Sequence, residues 1–318
     1  MLINFIKLYT KNNHLYFNKL FLICLFYSLQ TPYNILPINK SKEIKKDFFT
    51  KKNLLIAVLV VSLIKFTPIN TFIKDIIIIG IILLGYSKIQ KMNRTNKNDN
   101  NVSKKAYDNA LYIIDKEKKL GIYNELSIQK YFLSNKWFIK IMNFYYGAAH
   151  VIITSVILIL LYTKQTNNYK FWRYCFYIMN GLSFIIYRLY PMMPPRLLDE
   201  PCPTDGGLGG NCFNTENKFG FIDTIKLYGG PLNFSKGVAK DVSNQYAAMP
   251  SLHIGFAIWC TFALFQFIRN PWIRTSLFIY PIITTLNIII TANHFWLDGV
   301  VGIIVFFIAY LIIKYITL

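Results

Sequence analysis

Ala247-Ala248-Met249-Pro250-Ser251-Leu252-His253 sits at the mouth of an apolar segment that runs from Ser251 to Ile268. Ala292-Asn293-His294-Phe295-Trp296-Leu297-Asp298 repeats the design, at the mouth of the segment Gly299 to Leu318. The chain has 4 histidines in 318 residues, so two rare side chains fall at two equivalent places. Pro250 is poor inside a helix and good at its entry, so a helix begins close to Ser251. The free amides of that first turn make a ready anion site.

Composition sets the class. Charged residues make up 16% of the chain and hydrophobic ones 54%. A soluble domain carries about 25% charged residues. Apolar runs near the length of a bilayer crossing recur along the chain, which reads as a polytopic all-α membrane protein. The net charge of +20 suits contact with anionic headgroups. Nucleic acid is the other usual partner of a basic chain, but no nucleic-acid motif is present.

Taken in order, residues 1–105 hold extra hydrophobic segments and a linker. Leu15 to Leu29 is a short apolar stretch with Lys19 inside it, either a signal anchor or an interfacial helix. Asn53 to Thr67 and Thr71 to Tyr86 are split by Pro68 and read as two short crossings, or as one crossing and a re-entrant piece. Residues 88–105, rich in Lys and Asn, read as an exposed linker. Residues 106–318 form the second domain. Within it, 106–135 mixes apolar and charged positions, and part of it reads as an amphipathic piece on the bilayer surface. Crossings are expected at 137–163, 171–190, 251–268, 274–292 and 299–318, with a long loop at 191–250.

Parity then places the polar candidates. Loop 191–250 joins two crossings, so Tyr190 and Ser251 share a membrane face. The helix that leaves from Ser251 is matched by the one returning at Ala292. Arg188, Arg196, His253, His294 and Asp298 therefore fall on one face.

Those residue types suit phosphoryl chemistry. His294 and Asp298 are four apart, so on a helix they share a face. A carboxylate there takes the proton on one imidazole nitrogen and leaves the other as a nucleophile. Seen alone, the pair also fits a helix-end anchor. Ser251 either caps its helix or bonds a phosphate oxygen. His253, in the first turn, is placed to protonate a leaving oxygen. Arg196 emerges from the proline-stiffened turn Pro191-Met192-Met193-Pro194-Pro195 at headgroup level. Its guanidinium matches phosphoryl oxygens, or it anchors a lipid phosphate without chemistry. Arg188 either snorkels or shares that phosphate. His150, mid-segment and with no partner visible in the sequence, is structural or lines the substrate site. Cys24, Cys175 and Cys260 lie in apolar segments as packing residues. Cys202 and Cys212 flank a Gly-rich loop, and their spacing permits a disulfide facing an oxidising space.

Ser251-x-His253 and His294-x-x-x-Asp298 after an arginine turn resemble the type-2 phosphatidate phosphatase superfamily. The fuller strings Met192-Met193-Pro194-Pro195-Arg196-Leu197-Leu198, Gly220-Phe221-Ile222-Asp223-Thr224, Asn244-Gln245-Tyr246-Ala247-Ala248-Met249-Pro250-Ser251-Leu252-His253 and Ala292-Asn293-His294-Phe295-Trp296-Leu297-Asp298 resemble its inositol phosphorylceramide synthase-like branch. The resemblance covers 106–318. It implies a six-helix core and a reaction with no metal and no cofactor. It also implies a phosphohistidine on His294, with Asp298 orienting it and His253 as acid and then base. Arg196, Arg188 and the amides near Ser251 hold the phosphoryl oxygens. The expected partners are a membrane phospholipid or sphingolipid and an acceptor, water or an inositol-like alcohol. The expected location is an endomembrane or the plasma membrane, with the site on the lumenal or extracytoplasmic side. One departure stands out. The superfamily's first motif is Lys-x6-Arg-Pro, whereas here Arg188 precedes Arg196 by eight and Leu197 follows it. The competing function class is an inactive lipid-binding or transport protein of the same fold, disfavoured by the presence of both histidines and Asp298.

Overall fold

The structure is a computed structural model that describes residues 100–164, 166–202, 209–213, 218–230 and 245–317, together with Ile77. The expected N-terminal segments at 15–29, 53–67 and 71–86 lie outside the described residues, apart from Ile77, which is helical. Cα packing divides the chain into Gln30–Tyr86 and a larger unit, Met1–Leu29 with Ser87–Leu318. Every described residue from Asn100 onward belongs to the larger unit.

Helices make up most of that unit's described residues. They are α1 (Asn100–Lys119), α2 (Glu125–Leu133), α3 (Lys136–Phe144), a π-turn (Tyr145–Ala149), α4 (His150–Lys164) and α5 (Thr166–Leu189). Then come α6 (Thr224–Tyr228), α7 (Leu252–Phe265), α8 (Pro271–Ser276), α9 (Ile279–Ile290) and α10 (Trp296–Thr317). No strand occurs among the described residues, only one isolated parallel bridge between Met192 and Ala247.

Lys136–Lys164, Pro271–Ile290 and Trp296–Ile316 are long and apolar enough to cross a membrane. Their outer faces are unlike a soluble surface. Val151, Ile152, Val156 and Ile159 on α4, Ile279, Ile282 and Ile283 on α9, and Val300, Ile304, Ile308 and Leu311 on α10 are all exposed. Apolar faces of that extent suit lipid rather than water. The protein is a membrane protein.

The apolar centre forms around α7, which packs against α4, α5, α9 and α10. Trp259 is its largest fully buried side chain. The indole N–H donates to the Trp172 carbonyl at 2.9 Å, so the one polar atom in that position is satisfied. Gly302 of α10 lets α7 approach closely, because a Cβ there would lie 2.3 Å from the Ser251 carbonyl oxygen.

Several expected boundaries move. α1 already begins at Asn100, inside the expected linker 88–105. Crossing 251–268 shortens to 252–265, and crossing 274–292 becomes α8 and α9, separated by Leu277 and Phe278. The reading of part of 106–135 as a surface piece is corrected for α1. Ala106, Tyr107, Ala110, Ile113 and Ile114 of α1 pack against Met192, Met193, Leu197, Leu198, Phe221 and Phe295. The apolar face of α1 thus covers protein. Residues 191–198 are buried beneath it, a plug over one end of the bundle rather than an open loop.

Candidate active site

Backbone pairing builds the site. The Met192 amide donates to the Tyr246 carbonyl at 2.8 Å, and the Met193 amide to Ala106 at 3.0 Å. Two stretches far apart in sequence are thereby laid side by side. The Ala248 carbonyl projects from the second of them. On the other side, α9 ends at Thr291, and Ala292 takes the left-handed backbone, φ 52°. That conformation is uncommon for a residue with a Cβ. It reverses the chain, so the Asn293 amide returns to the Ile288 carbonyl at 3.0 Å and His294 is delivered beside Ala248.

His294 is buried, at 4% exposure. Its Nδ1–H donates to the Ala248 carbonyl oxygen at 2.7 Å. Asp298 Oδ2 lies 3.4 Å from the same nitrogen. A carbonyl only accepts, so the proton sits on Nδ1 and the lone pair on Nε2. Nε2 is buried with no hydrogen-bond partner among the described residues. The expected geometry is corrected here. His294 precedes α10 rather than sharing a helical face with Asp298, and a backbone carbonyl, not the carboxylate, makes the shorter bond. Asp298 also closes the turn by accepting the Phe295 amide at 2.9 Å.

The His253 ring lies 5.7 Å from that of His294, centroid to centroid. Tyr146 stacks on His253 at 4.2 Å and 21°. His253 Nε2–H donates to the Tyr146 carbonyl at 3.3 Å. Ser251 occupies the N-cap of α7, yet its side chain makes no cap bond, and its buried Oγ has no partner among the described residues. Of the two readings of Ser251, the cap is therefore excluded. Its amide is engaged as well, donating to the Asp298 carbonyl at 2.9 Å, which ties α7 to α10.

Arg196 does not project freely from its turn. It is 6% exposed, held from three sides. Nε–H donates to Asn293 Oδ1 at 2.8 Å, one Nη to Asp223 Oδ2 at 2.7 Å, and the other to Gln245 Oε1. Asp223 is itself fixed, since its other oxygen caps α6 by accepting the Lys226 amide at 2.9 Å. Asn143 of α3 then binds the Thr224 and Gly229 carbonyls at 2.9 and 2.7 Å. The strings around Gly220–Thr224 and Gln245 thus contain the residues that seat Arg196. Arg188 lies half-buried in the last turn of α5 and is not among the partners that seat Arg196.

His150, which the sequence leaves as structural or substrate-lining, is beside the site, its ring 4.3 Å from that of His253. A further feature escapes a reading by sequence. Glu117 and Glu125, both 0% exposed, hold the start of α10. The Leu297 amide donates to Glu117 Oε1 at 2.8 Å and the Trp296 amide to Glu125 Oε1 at 3.4 Å. Amides 295, 296 and 297 thus each meet a different carboxyl group. Burial, then the neighbouring Glu125 carboxyl, pushes the Glu117 carboxyl well above the usual carboxylate range. The available signal was position, because Glu117 falls three and four residues after Ile114 and Ile113, on the apolar face.

Cys202 and Cys212 form a disulfide, and Cys175 and Cys260 are buried free thiols. Among the described residues, no group of three His, Cys, Asp or Glu side chains is arranged to hold a metal ion.

A family model described as PAP2 superfamily matches residues 111–312, more than half of the chain. Searches of curated proteins and of solved structures found no match.

Proposed function

The chain belongs to the PAP2 superfamily, whose members are phosphatases and phosphotransferases, and from that premise we propose a metal-independent lipid phosphatase or phosphotransferase working through a phosphohistidine. One observation carries the reading. His294 has its Nδ1–H committed to Ala248 and Asp298, and its Nε2 is buried near His253 with no partner among the described residues. In the first step Nε2 bonds to phosphorus, the ester P–O bond breaks, and a proton on His253 passes to the leaving alcohol oxygen. In the second, the acceptor oxygen bonds to phosphorus, its proton goes to His253, and the P–N bond breaks. The charge that Nδ1–H gains in the first step is stabilised by Asp298.

Arg196 and Ser251 hold the phosphoryl oxygens. A guanidinium has five N–H donors, and the three bonds that seat Arg196 among the described residues leave two for substrate. The Ser251 hydroxyl, without a partner among the described residues, fits the same task. Arg188 is a further phosphate ligand on this reading. The substrate is a phospholipid or sphingolipid-type phosphate ester, and the acceptor is water or an inositol-like alcohol. The active face is lumenal or extracytoplasmic, a reading supported by the Cys202–Cys212 disulfide, since such bonds persist in oxidising spaces.

The test uses purified full-length protein on a panel of phosphatidate, phospholipid and sphingolipid substrates, with and without inositol. Phosphate release identifies a phosphatase and inositol-dependent headgroup exchange a transferase. His294→Ala is expected to lose activity on the order of 10³-fold or more. Full activity in that variant overturns the reading.

A further inference from the structure

His150 is a nucleophilic and titratable side chain that the mechanism above does not use. It sits where α4 begins, directly after the π-turn Tyr145–Ala149. A π-turn runs its backbone bonds to the fifth residue instead of the fourth, is rare, and is found often at functional sites. Here the irregular turn carries Tyr146, whose ring and carbonyl both serve His253. The ring stacks on the imidazole at 4.2 Å, and the carbonyl accepts Nε2–H at 3.3 Å. His150 joins the same carbonyl, donating from Nδ1 at 3.2 Å. Its ring then lies edge-on to that of His253 at 4.3 Å, 61° between planes, and stacks on Phe256, one turn further along α7, at 6.2 Å and 14°.

His253 is thus enclosed by Tyr146 on one side and His150 on another, and both histidines share one acceptor. The edge-on contact does not suit a direct N–H···N bond between the rings, so a proton relay through His150 is not what this arrangement provides. It constrains orientation. We propose that His150, with the π-turn before it, is the positioning residue of the proton donor. It holds the Tyr146 carbonyl and the His253 ring so that Nε2–H is committed to that carbonyl and Nδ1 is the nitrogen that gives and takes the proton. This rests on the phosphoryl-transfer reading of His253 and His294.

A positioning residue for a proton donor has a signature that a packing residue lacks. An alkyl alcohol needs a proton as it leaves, whereas a nitrophenolate leaves without one. The value of kcat/KM reports the reaction up to departure of the leaving group, before His253 is needed again as a base. The experiment measures kcat/KM of the full chain in detergent for an alkyl phosphate ester and a nitrophenyl phosphate ester. Wild type is compared with His253→Ala, His150→Ala and His150→Asn.

Supporting shells of this kind are worth about 10- to 100-fold. His150→Ala should lose about that on the alkyl ester and much less on the nitrophenyl ester, whose leaving group needs no proton. The amide of His150→Asn can still donate to the Tyr146 carbonyl, so that variant should recover most of the alkyl activity. Equal losses on both esters, unchanged activity on the alkyl ester, or an Asn variant no better than Ala overturns the proposal. If wild type cleaves neither ester, or His294→Ala cleaves both, it is the phosphoryl-transfer reading that fails.

Discussion

Gly302→Ala should disable the enzyme without touching any group that does chemistry. The added Cβ would sit 2.3 Å from the Ser251 carbonyl oxygen and 3.2 Å from its carbonyl carbon. Both are backbone atoms in the turn that starts α7, so neither can swing aside. Ordinary contact begins near 3.4 Å, which requires α7 and α10 to part by about 1 Å. The parting falls on the bond from the Ser251 amide to the Asp298 carbonyl, 2.9 Å long, and on the two strands of the site that it joins. Ser251 and His253 ride on α7, whereas Asp298 rides on α10 and His294 precedes it. A misplacement of about 1 Å costs on the order of 10²-fold in rate, and overpacking of this kind about 1–3 kcal/mol in stability. Gly299→Ala is the control on the same helix, because its Cβ would meet only Ile254 Cγ1 at 3.5 Å. The assay is turnover of the preferred lipid ester beside a thermal melt in detergent. Gly302→Ala should lose about 10²-fold in kcat/KM, and Gly299→Ala should stay within about threefold. Equal behaviour of the two variants would refute the close-approach argument.

Other outcomes come from buried charge. Burial and the neighbouring Glu125 carboxyl raise the Glu117 carboxyl from its ordinary value of 4.5 to about 9. Glu125, Asp298 and Tyr123 are the titratable groups that face it. With the folded value raised, this group costs nothing below about pH 4.5. It removes stability as pH rises towards 9, by up to about 1.4 kcal/mol per pH unit for one proton. Glu117→Gln, which mimics the protonated acid and still accepts the Leu297 amide, should flatten the melting profile between about pH 5 and 9; an unchanged slope would rule out the stored proton. Asp223→Ala leaves the buried Arg196 charge without its carboxylate, and a loss of about 3–5 kcal/mol is expected by chemical unfolding. Asp223→Asn keeps the α6 cap but not the charge, so it should lose somewhat less; near-wild-type stability in that variant would point to the cap rather than the ion pair.

A good part of the architecture can be read from residues alone, because each reading rests on local chemistry. Apolar runs without charges have to cross or bury, and Pro250 has to start a helix rather than continue one. Alternating crossings have to return to the same face. That reasoning brings His253, His294, Asp298 and Arg196 to one end of the bundle, where the structure has them. The family match over 111–312 agrees with the resemblance read from Ser251-x-His253 and His294-x-x-x-Asp298 at the level of the superfamily. The α1–α2 segment is harder. Its charges suggest a surface helix, and only the packing of 191–198 and of the start of α10 explains why Ile113, Ile114 and Glu117 are buried.

Tertiary structure decided how those residues are held. A spacing of four points to Asp298 as the group that orients His294, but a left-handed Ala292 and the backbone of Ala248 share that task with it. Arg196 reads in sequence as a free cation, and it is seated by Asp223, Asn293 and Gln245 from three distant stretches. His150 has no partner visible in sequence because its partner is a carbonyl, and carbonyls are the same at every residue. Sequence specifies side chains and their periodicity, so it names the chemistry and the face on which it lies. Backbone donors and acceptors carry no letter, and their positions are set only when separate segments are packed together. Here they choose which nitrogen of each histidine keeps its proton.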